Sequence, residues 1–181
     1  MKRTRGFTLI ELLVVIAIIG VLASVVMNSV NSARANTKVS KAKAELQSLR
    51  AGISSLEDDT GKWPNGCPVA TSVTGSSNEI RFSLANAGIV SIPSVGVTDA
   101  TTDPPCEWTA EEVSAWKGPY MPNATDPWGN PYWFDSDYYP RQDCGDPTAT
   151  AVVVVESHGP NGVGGAESAD YDCDDIYSEL H

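Results

Sequence analysis

From Phe7 to Met27 every side chain is apolar or absent except those of Thr8, Glu11 and Ser24. A helix that crosses a bilayer needs roughly 20 such residues, so this stretch is long enough to span one. Beyond it the pattern turns from continuous to periodic: Val39, Ala42, Leu46, Leu49, Ile53 and Leu56 follow one another at spacings of three and four. That rhythm lays a narrow apolar stripe along one face of a helix. A stripe this short, with an Ala in it, makes a poor coiled-coil seam, so it is expected to dock on the chain's own head. Asp58-Asp59-Thr60-Gly61, ahead of Trp63-Pro64, should stop the helix between Glu57 and Gly61.

The remainder, about 120 residues, suffices for one small core. Within it Thr71 to Ser77 reads as a Ser/Thr/Gly-rich loop and Ser91 to Pro105 as an irregular connection. Asn78 to Ala87 is expected to form a short helix leading to Gly88, and Ala110 to Trp116 a further turn or two. Tyr132-Trp133-Phe134 predicts a short strand, and Thr148 to Glu156, with its run of valines, a strong one. The fold class is therefore α+β, a long N-terminal helix packed on a small antiparallel sheet. Its expected divisions are a leader at 1–6, a transmembrane segment at 7–30, an amphipathic helix at 31–59 and a globular head at 60–181.

Charge gives the apolar run a direction. Lys2, Arg3 and Arg5 stand before it, and the positive-inside bias keeps such an N-terminus cytoplasmic while the rest of a single-pass chain is exported. A secretory signal is cut after its apolar region, whereas here the processing point, Gly6-Phe7, comes before it; cleavage would keep the span and leave a new amine on Phe7. Glu11 is the anomaly. An acid at the centre of a membrane helix costs on the order of 2.5 to 3.5 kcal/mol, and less near the interface. Either its carboxylate lies shallow enough to meet water and head groups, or it pairs with a cation of another chain, the Phe7 ammonium being at similar depth. In the second case Glu11 is an assembly residue that sets axial register between subunits.

The net charge of -11 is unevenly shared: residues 1–50 hold eight Lys or Arg against two Glu, and the rest of the chain four against 21 acids. So acidic a head repels phosphate backbones, and Arg34, Lys38, Lys41, Lys43 and Arg50 are too dispersed to read as a nucleic-acid arm. They suit the acidic heads of neighbouring subunits or lipid head groups. An enzyme is not expected, because His158 and His181 have no nucleophile at hand and the Gly-rich stretch lacks the Lys-Ser/Thr of a phosphate loop. Cys67, Cys106, Cys144 and Cys173 all fall on the exported side, where an even count favours disulfides; no Cys-x-x-Cys spacing suggests zinc. Three connectivities are open, of which the sequential pairing Cys67–Cys106 and Cys144–Cys173 is preferred.

Lys2-Arg3-Thr4-Arg5-Gly6, followed by Phe7-Thr8-Leu9-Ile10-Glu11-Leu12-Leu13-Val14-Val15-Ile16, resembles the N-terminus of type IV pilins and pseudopilins. The resemblance covers about the first 50 residues. It implies cleavage after Gly6 by a prepilin peptidase, N-methylation of Phe7, storage in the inner membrane, and extraction into a helical homopolymer by an assembly ATPase and a platform protein. One departure is Val26-Met27-Asn28, where relatives often carry a Pro.

Two blocks of the head are similar to the major pseudopilin of type II secretion. Trp116-Lys117-Gly118-Pro119-Tyr120 and Asp126-Pro127-Trp128-Gly129-Asn130-Pro131-Tyr132 are physically turns with aromatic core anchors between them. The second block runs from Ser157-His158-Gly159-Pro160-Asn161-Gly162 to Asp170-Tyr171-Asp172-Cys173-Asp174-Asp175. A Gly-rich loop closed by clustered Asp offers hard oxygens and bare carbonyls that suit Ca2+. The resemblance carries the calcium ligands onto Ser157, Asp172, Asp174 and Asp175, with carbonyls near Pro160 to Val163; a solvated acidic loop is the other reading. The implied function is a filament subunit, foremost the major pseudopilin, associated with minor pseudopilins. A surface type IV pilin and a membrane-anchored calcium-dependent binding domain are the alternatives.

Overall fold

The computed structural model of the chain describes residues 7–69, 79–97, 106–140, 144, 150–164 and 172–180. The processing point at Gly6, the basic residues before it and the expected loop from Thr71 to Ser77 lie outside these. Helix α1 (Leu9–Thr60) ends within the Glu57 to Gly61 window. It is shared by two compact units, residues 1–38 and 39–181.

In the first unit every described side chain is exposed. Among the described residues α1 is the one helix long and apolar enough to cross a membrane by length and composition. Gly20 and the Asn28-Ser29 and Asn31-Ser32 pairs, all weak helix formers, do not interrupt it.

In the second unit the periodic stripe is buried: Ala42, Leu46, Leu49, Gly52, Ile53 and Leu56 all face the core. Four strands, β1 (Ile80–Arg81), β4 (Trp133–Tyr138), β5 (Val152–Ser157) and β6 (Ile176–Glu179), form an antiparallel sheet in the order β1-β4-β5-β6. A separate ribbon pairs β2 (Gly96–Val97) with β3 (Glu107–Trp108). Side chains alternate between the faces of a strand, and directly opposed residues share a face. The register Ile80↔Phe134 and Phe134↔Val155↔Ser178 therefore gives one apolar face. Ile80, Phe134, Val155 and Ile176 pack with the α1 stripe, Phe82, Trp108 and Tyr132 into one core.

The other face follows from Arg81↔Trp133 and Trp133↔Glu156↔Tyr177. It bears Asp135 and Glu156, both buried. Trp133 is clasped there, with Arg81 over its ring at 5.4 Å and His158 stacked on it at 5.3 Å between centroids.

The aromatics at the turns are core anchors whose polar ends are satisfied. Trp108 Nε1 donates to the Asn86 carbonyl at 2.8 Å and Trp116 Nε1 to that of Gly88 at 2.7 Å. Gly52 admits Tyr120 against α1, since a Cβ there would stand 3.3 Å from the Tyr120 carbonyl oxygen. Helix α2 (Ala110–Ala115) begins in a capping box between Thr109 and Glu112. Cys67 is joined to Cys106 and Cys144 to Cys173. Closing loops of 39 and 29 residues removes about 4 kcal/mol of unfolded-state freedom each in the chain-entropy model.

Three expectations need correction. Asn78 lies outside the described residues, and 79–87 is not one helix: Ile80 and Phe82 alternate inward with β1 pairing on β4, a turn follows in which the Leu84 N–H donates to the Arg81 carbonyl, and Ala85–Ala87 form a 3-10 helix capped by Gly88 at φ 68. The irregular connection after Ser91 contains β2, held by its partner β3. The short strand runs on from Trp133 to Tyr138 rather than ending at Phe134.

Candidate assembly helix and acidic C-terminal loop

At the start of α1 the carboxylate of Glu11 has a partner that the sequence reading did not supply. Thr8 donates to Glu11 Oε2 twice, from its backbone N–H and from Oγ1, each at 2.8 Å. In return the Glu11 N–H donates to Thr8 Oγ1 at 3.3 Å. This is a capping box that satisfies backbone donors left over at a helix start. The signal was present as Thr8-x-x-Glu11, a spacing that reads as a cap as readily as an intermolecular charge.

In the head, the loop after β5 is built on the Asp126 turn. Asp126 is 5% exposed, and its Oδ1 accepts the N–H groups of Trp128, Gly129 and Asn130, each at 2.9 Å. Its Oδ2 accepts the Ser157 hydroxyl at 2.6 Å, and Ser157 Oγ in turn accepts the Gly159 N–H at 3.2 Å. Asn130 Nδ2 donates to the Gly159 carbonyl at 3.0 Å. The loop is thus bolted to the turn through Ser157 and Gly159. Gly159, at φ 59, is also where a Cβ would run into the Asp174 carbonyl, so no other residue fits without movement.

Two of the four expected ligands converge. Asn161 Nδ2 donates to Asp172 Oδ2 at 2.6 Å and to Asp174 Oδ1 at 2.8 Å, placing an amide NH2 between two carboxylates. The Val163 N–H donates to Asn161 Oδ1 at 2.6 Å, which fixes that amide's orientation. Asp175 Oδ2 accepts the Asp172 N–H at 2.9 Å, while its Oδ1 is buried without a hydrogen-bond partner. Burial, with Glu156 and Asp172 nearby, pushes the Asp175 carboxyl up to about 7. Asp174 is raised too, by burial and by its neighbour Asp172. Ser157, the fourth, is committed to Asp126. The arrangement is a set of hard oxygens whose mutual repulsion a hydrogen-bond donor relieves in part. Asp126, Asn130 and Asn161, which position the loop, were missed as site residues, although all three lie in the turn and Gly-rich motifs.

The prokaryotic N-terminal methylation motif matches residues 1–27. A probable minor fimbrial protein of Dichelobacter nodosus is 36% identical over 98 residues, covering 54% of this chain and 62% of that protein. A fimbrial protein of Neisseria meningitidis is 30% identical over 112 residues, 62% of this chain and 65% of that one. The motif and these fimbrial relatives make the chain similar to the type IV pilin and pseudopilin superfamily. A type IV major pilin protein of Neisseria gonorrhoeae is 38% identical over 60 residues, 33% of this chain and 36% of the pilin. The chain spans less than two thirds of the length of these relatives. No solved structure matches it significantly. Its fold is pilin-like, an N-terminal apolar helix continued into one that packs on a small antiparallel sheet.

Proposed function

We propose that the chain is a structural subunit of a helical type IV pilus-like filament, and within that class the major pseudopilin of a type II secretion machine. The observation that carries the filament reading is the methylation motif over residues 1–27 together with the exposed apolar first part of α1. Such a helix is at home only in lipid or against other copies, and head-to-tail packing that does not close makes a polymer. The subunit is processed between Gly6 and Phe7 by a prepilin peptidase and waits in the inner membrane with its N-terminus inside. A platform protein and an ATPase drive its assembly in this reading. Minor pseudopilins are its companions. Nucleic acid is not a partner in this reading.

The pseudopilin assignment rests on the aromatic turns and on the acidic loop after β5. The donor set fits Ca2+: Asp172, Asp174 and Asp175 would hold it with carbonyls near Pro160 to Val163, while Ser157 would support the loop through its bonds to Asp126 and Gly159. An ion there supplies positive charge that turns repelling carboxylates into a clamp ordering the loop. Fimbrial relatives favour the second reading, a surface type IV pilin. Mass spectrometry of mature protein should find N-methylated Phe7 at its start; recovery of Met1 defeats the filament reading. Deletion of the gene then separates the finer readings, since a pseudopilin's loss stops export of a secreted enzyme and a surface pilin's loss strips pili while export continues.

A further inference from the structure

We propose that the face of the sheet turned away from α1 carries a binding site for a hard divalent cation of the Ca2+ class, formed by the carboxylates of Glu79, Asp135 and Asp137 with Glu156 beside them. The site shares no residue with the C-terminal loop, and the proposal does not depend on the filament reading.

Register puts these groups together. Arg81 lies opposite Trp133, so one pleat back along β1 Glu79 comes level with Asp135. One oxygen from each of Glu79, Asp135 and Asp137 lies within 4.8 Å of the others. Two oxygens bound to the same calcium at about 2.4 Å can stand no farther apart than about 4.8 Å, so the spacing of these three carboxylates is compatible with a shared ion. Asp137 joins them because the register shifts between Asp135 and Tyr138, and the Asp137 N–H donates to Asp135 Oδ1 at 2.8 Å.

A second observation comes from β5. Glu156, opposite Trp133 and diagonal to Asp135, is 1% exposed. Its Oε1 stands 3.3 Å from His158 Nε2, but its Oε2 is buried without a hydrogen-bond partner, as is Glu79 Oε1. A buried acid left half-satisfied costs stability, and a second acid close by adds to that cost. Glu79 and Glu156 do act on each other electrostatically. A cation among these oxygens would favour both as carboxylates and offset the cost of burying them. The donors are all carboxylates, with the one nearby imidazole turned to Glu156, which favours Ca2+ over zinc.

The test uses the full chain in detergent micelles, with Ca2+ counted by equilibrium dialysis and Tb3+ luminescence excited through tryptophan, Trp133 being the sensitiser on this face. Two ions per chain are expected. Asp172→Asn/Asp174→Asn should remove one and leave Tb3+ emission that falls severalfold with Trp133→Phe. Glu79→Gln/Asp137→Asn should weaken the remaining site at least tenfold. A count that drops to zero in the loop variant, or binding unchanged by Glu79→Gln/Asp137→Asn, overturns the proposal. A single ion lost on Glu79→Gln/Asp137→Asn and indifferent to the loop variant supports this site and removes the loop one. Circular dichroism checks folding; should either double variant unfold, Glu156→Gln in the wild-type background decides, a tenfold loss at one site supporting the proposal and unchanged binding at every site ending it.

Discussion

From Leu9 to Lys38 no side chain of α1 is buried, whereas from Val39 to Thr60 six positions are. The first stretch is the more apolar of the two, so burial inside the subunit does not follow hydrophobicity. What differs is arrangement. A helix apolar all round has no face to give a single small head, while a stripe of period 3.6 has one. The first half leaves its large residues bare, Leu9 at 79% and Val30 at 41% exposure, and needs lipid or other copies as its solvent. The second half spends its narrower stripe on its own sheet. A change in the first half should therefore be felt between molecules, and a change in the second within one.

The largest expected effect lies in the first half. Glu11→Ala should abolish filament formation in cells, by electron microscopy or crosslinking, while the melting midpoint of the head stays put. Glu11→Gln sharpens this, because Gln can complete the capping box with Thr8 without carrying charge. Loss of filaments in both variants assigns the requirement to charge; assembly by the Gln variant alone assigns it to the cap.

Next comes the stripe. Leu49 is fully buried in the core with Ile53 and Leu56. Leu49→Ala should cost about 2 to 5 kcal/mol, measured by denaturant unfolding. Leu13→Ala, at an exposed site, should change head stability by less than about 0.5 kcal/mol. An equal loss from the two would erase the distinction between the halves.

The stripe is also where the sequence was most legible, since five of its six positions are buried and the sixth, Val39, is partly buried against the core, and the stop after Asp58 came from local turn chemistry. Strands that depend on distant partners were not legible. Ile80-Arg81 sits in a stretch equally compatible with a helix, and Ile176–Glu179 follows an acidic run and exists because Val154 to Ser157 offer it an edge. The loop could be read as acidic and Gly-rich, yet not that Ser157 would be held by Asp126. Glu156 looked like the polar end of a valine strand, and only the pairing of β5 with both neighbours explains why it is buried.

That burial makes a prediction of intermediate size within the head. Glu156 is pushed up to about 8 from an ordinary 4.5, by burial and by Glu79; His158 is pushed down by burial, so the two form a neutral pair near pH 7. A carboxyl whose pKa is raised on folding holds its proton in the folded state and loses it in the unfolded one. Between about pH 4.5 and 8 stability therefore falls as pH rises, with a slope of at most about 1.4 kcal/mol per unit from this group. Asp175, at about 7, adds to the trend in the same direction. Metal-free wild type compared with Glu156→Gln across this range should show the fall in the former and a shallower one in the latter. Parallel curves would mean that Glu156 ionises as it does in water.

The smallest effect concerns the polar seam along the second half of α1. Tyr132 Oη donates to Glu45 Oε2 at 2.7 Å, and burial together with that carboxylate holds the hydroxyl well above the usual tyrosine range. Glu45 also has Lys41 one turn away at 3.5 Å, and its side chain is 24% exposed. Tyr132→Phe thus keeps the ring in the core and leaves Glu45 with both water and a cation, so no buried charge is stranded. The expected loss is about 0.5 to 1.5 kcal/mol, toward the lower end. A double-mutant cycle with Glu45→Gln isolates the coupling. Should Tyr132→Phe cost as much as Leu49→Ala, the head would be fixed on α1 by its hydrogen bonds, and the apolar stripe would lose its claim to separate one half of the helix from the other.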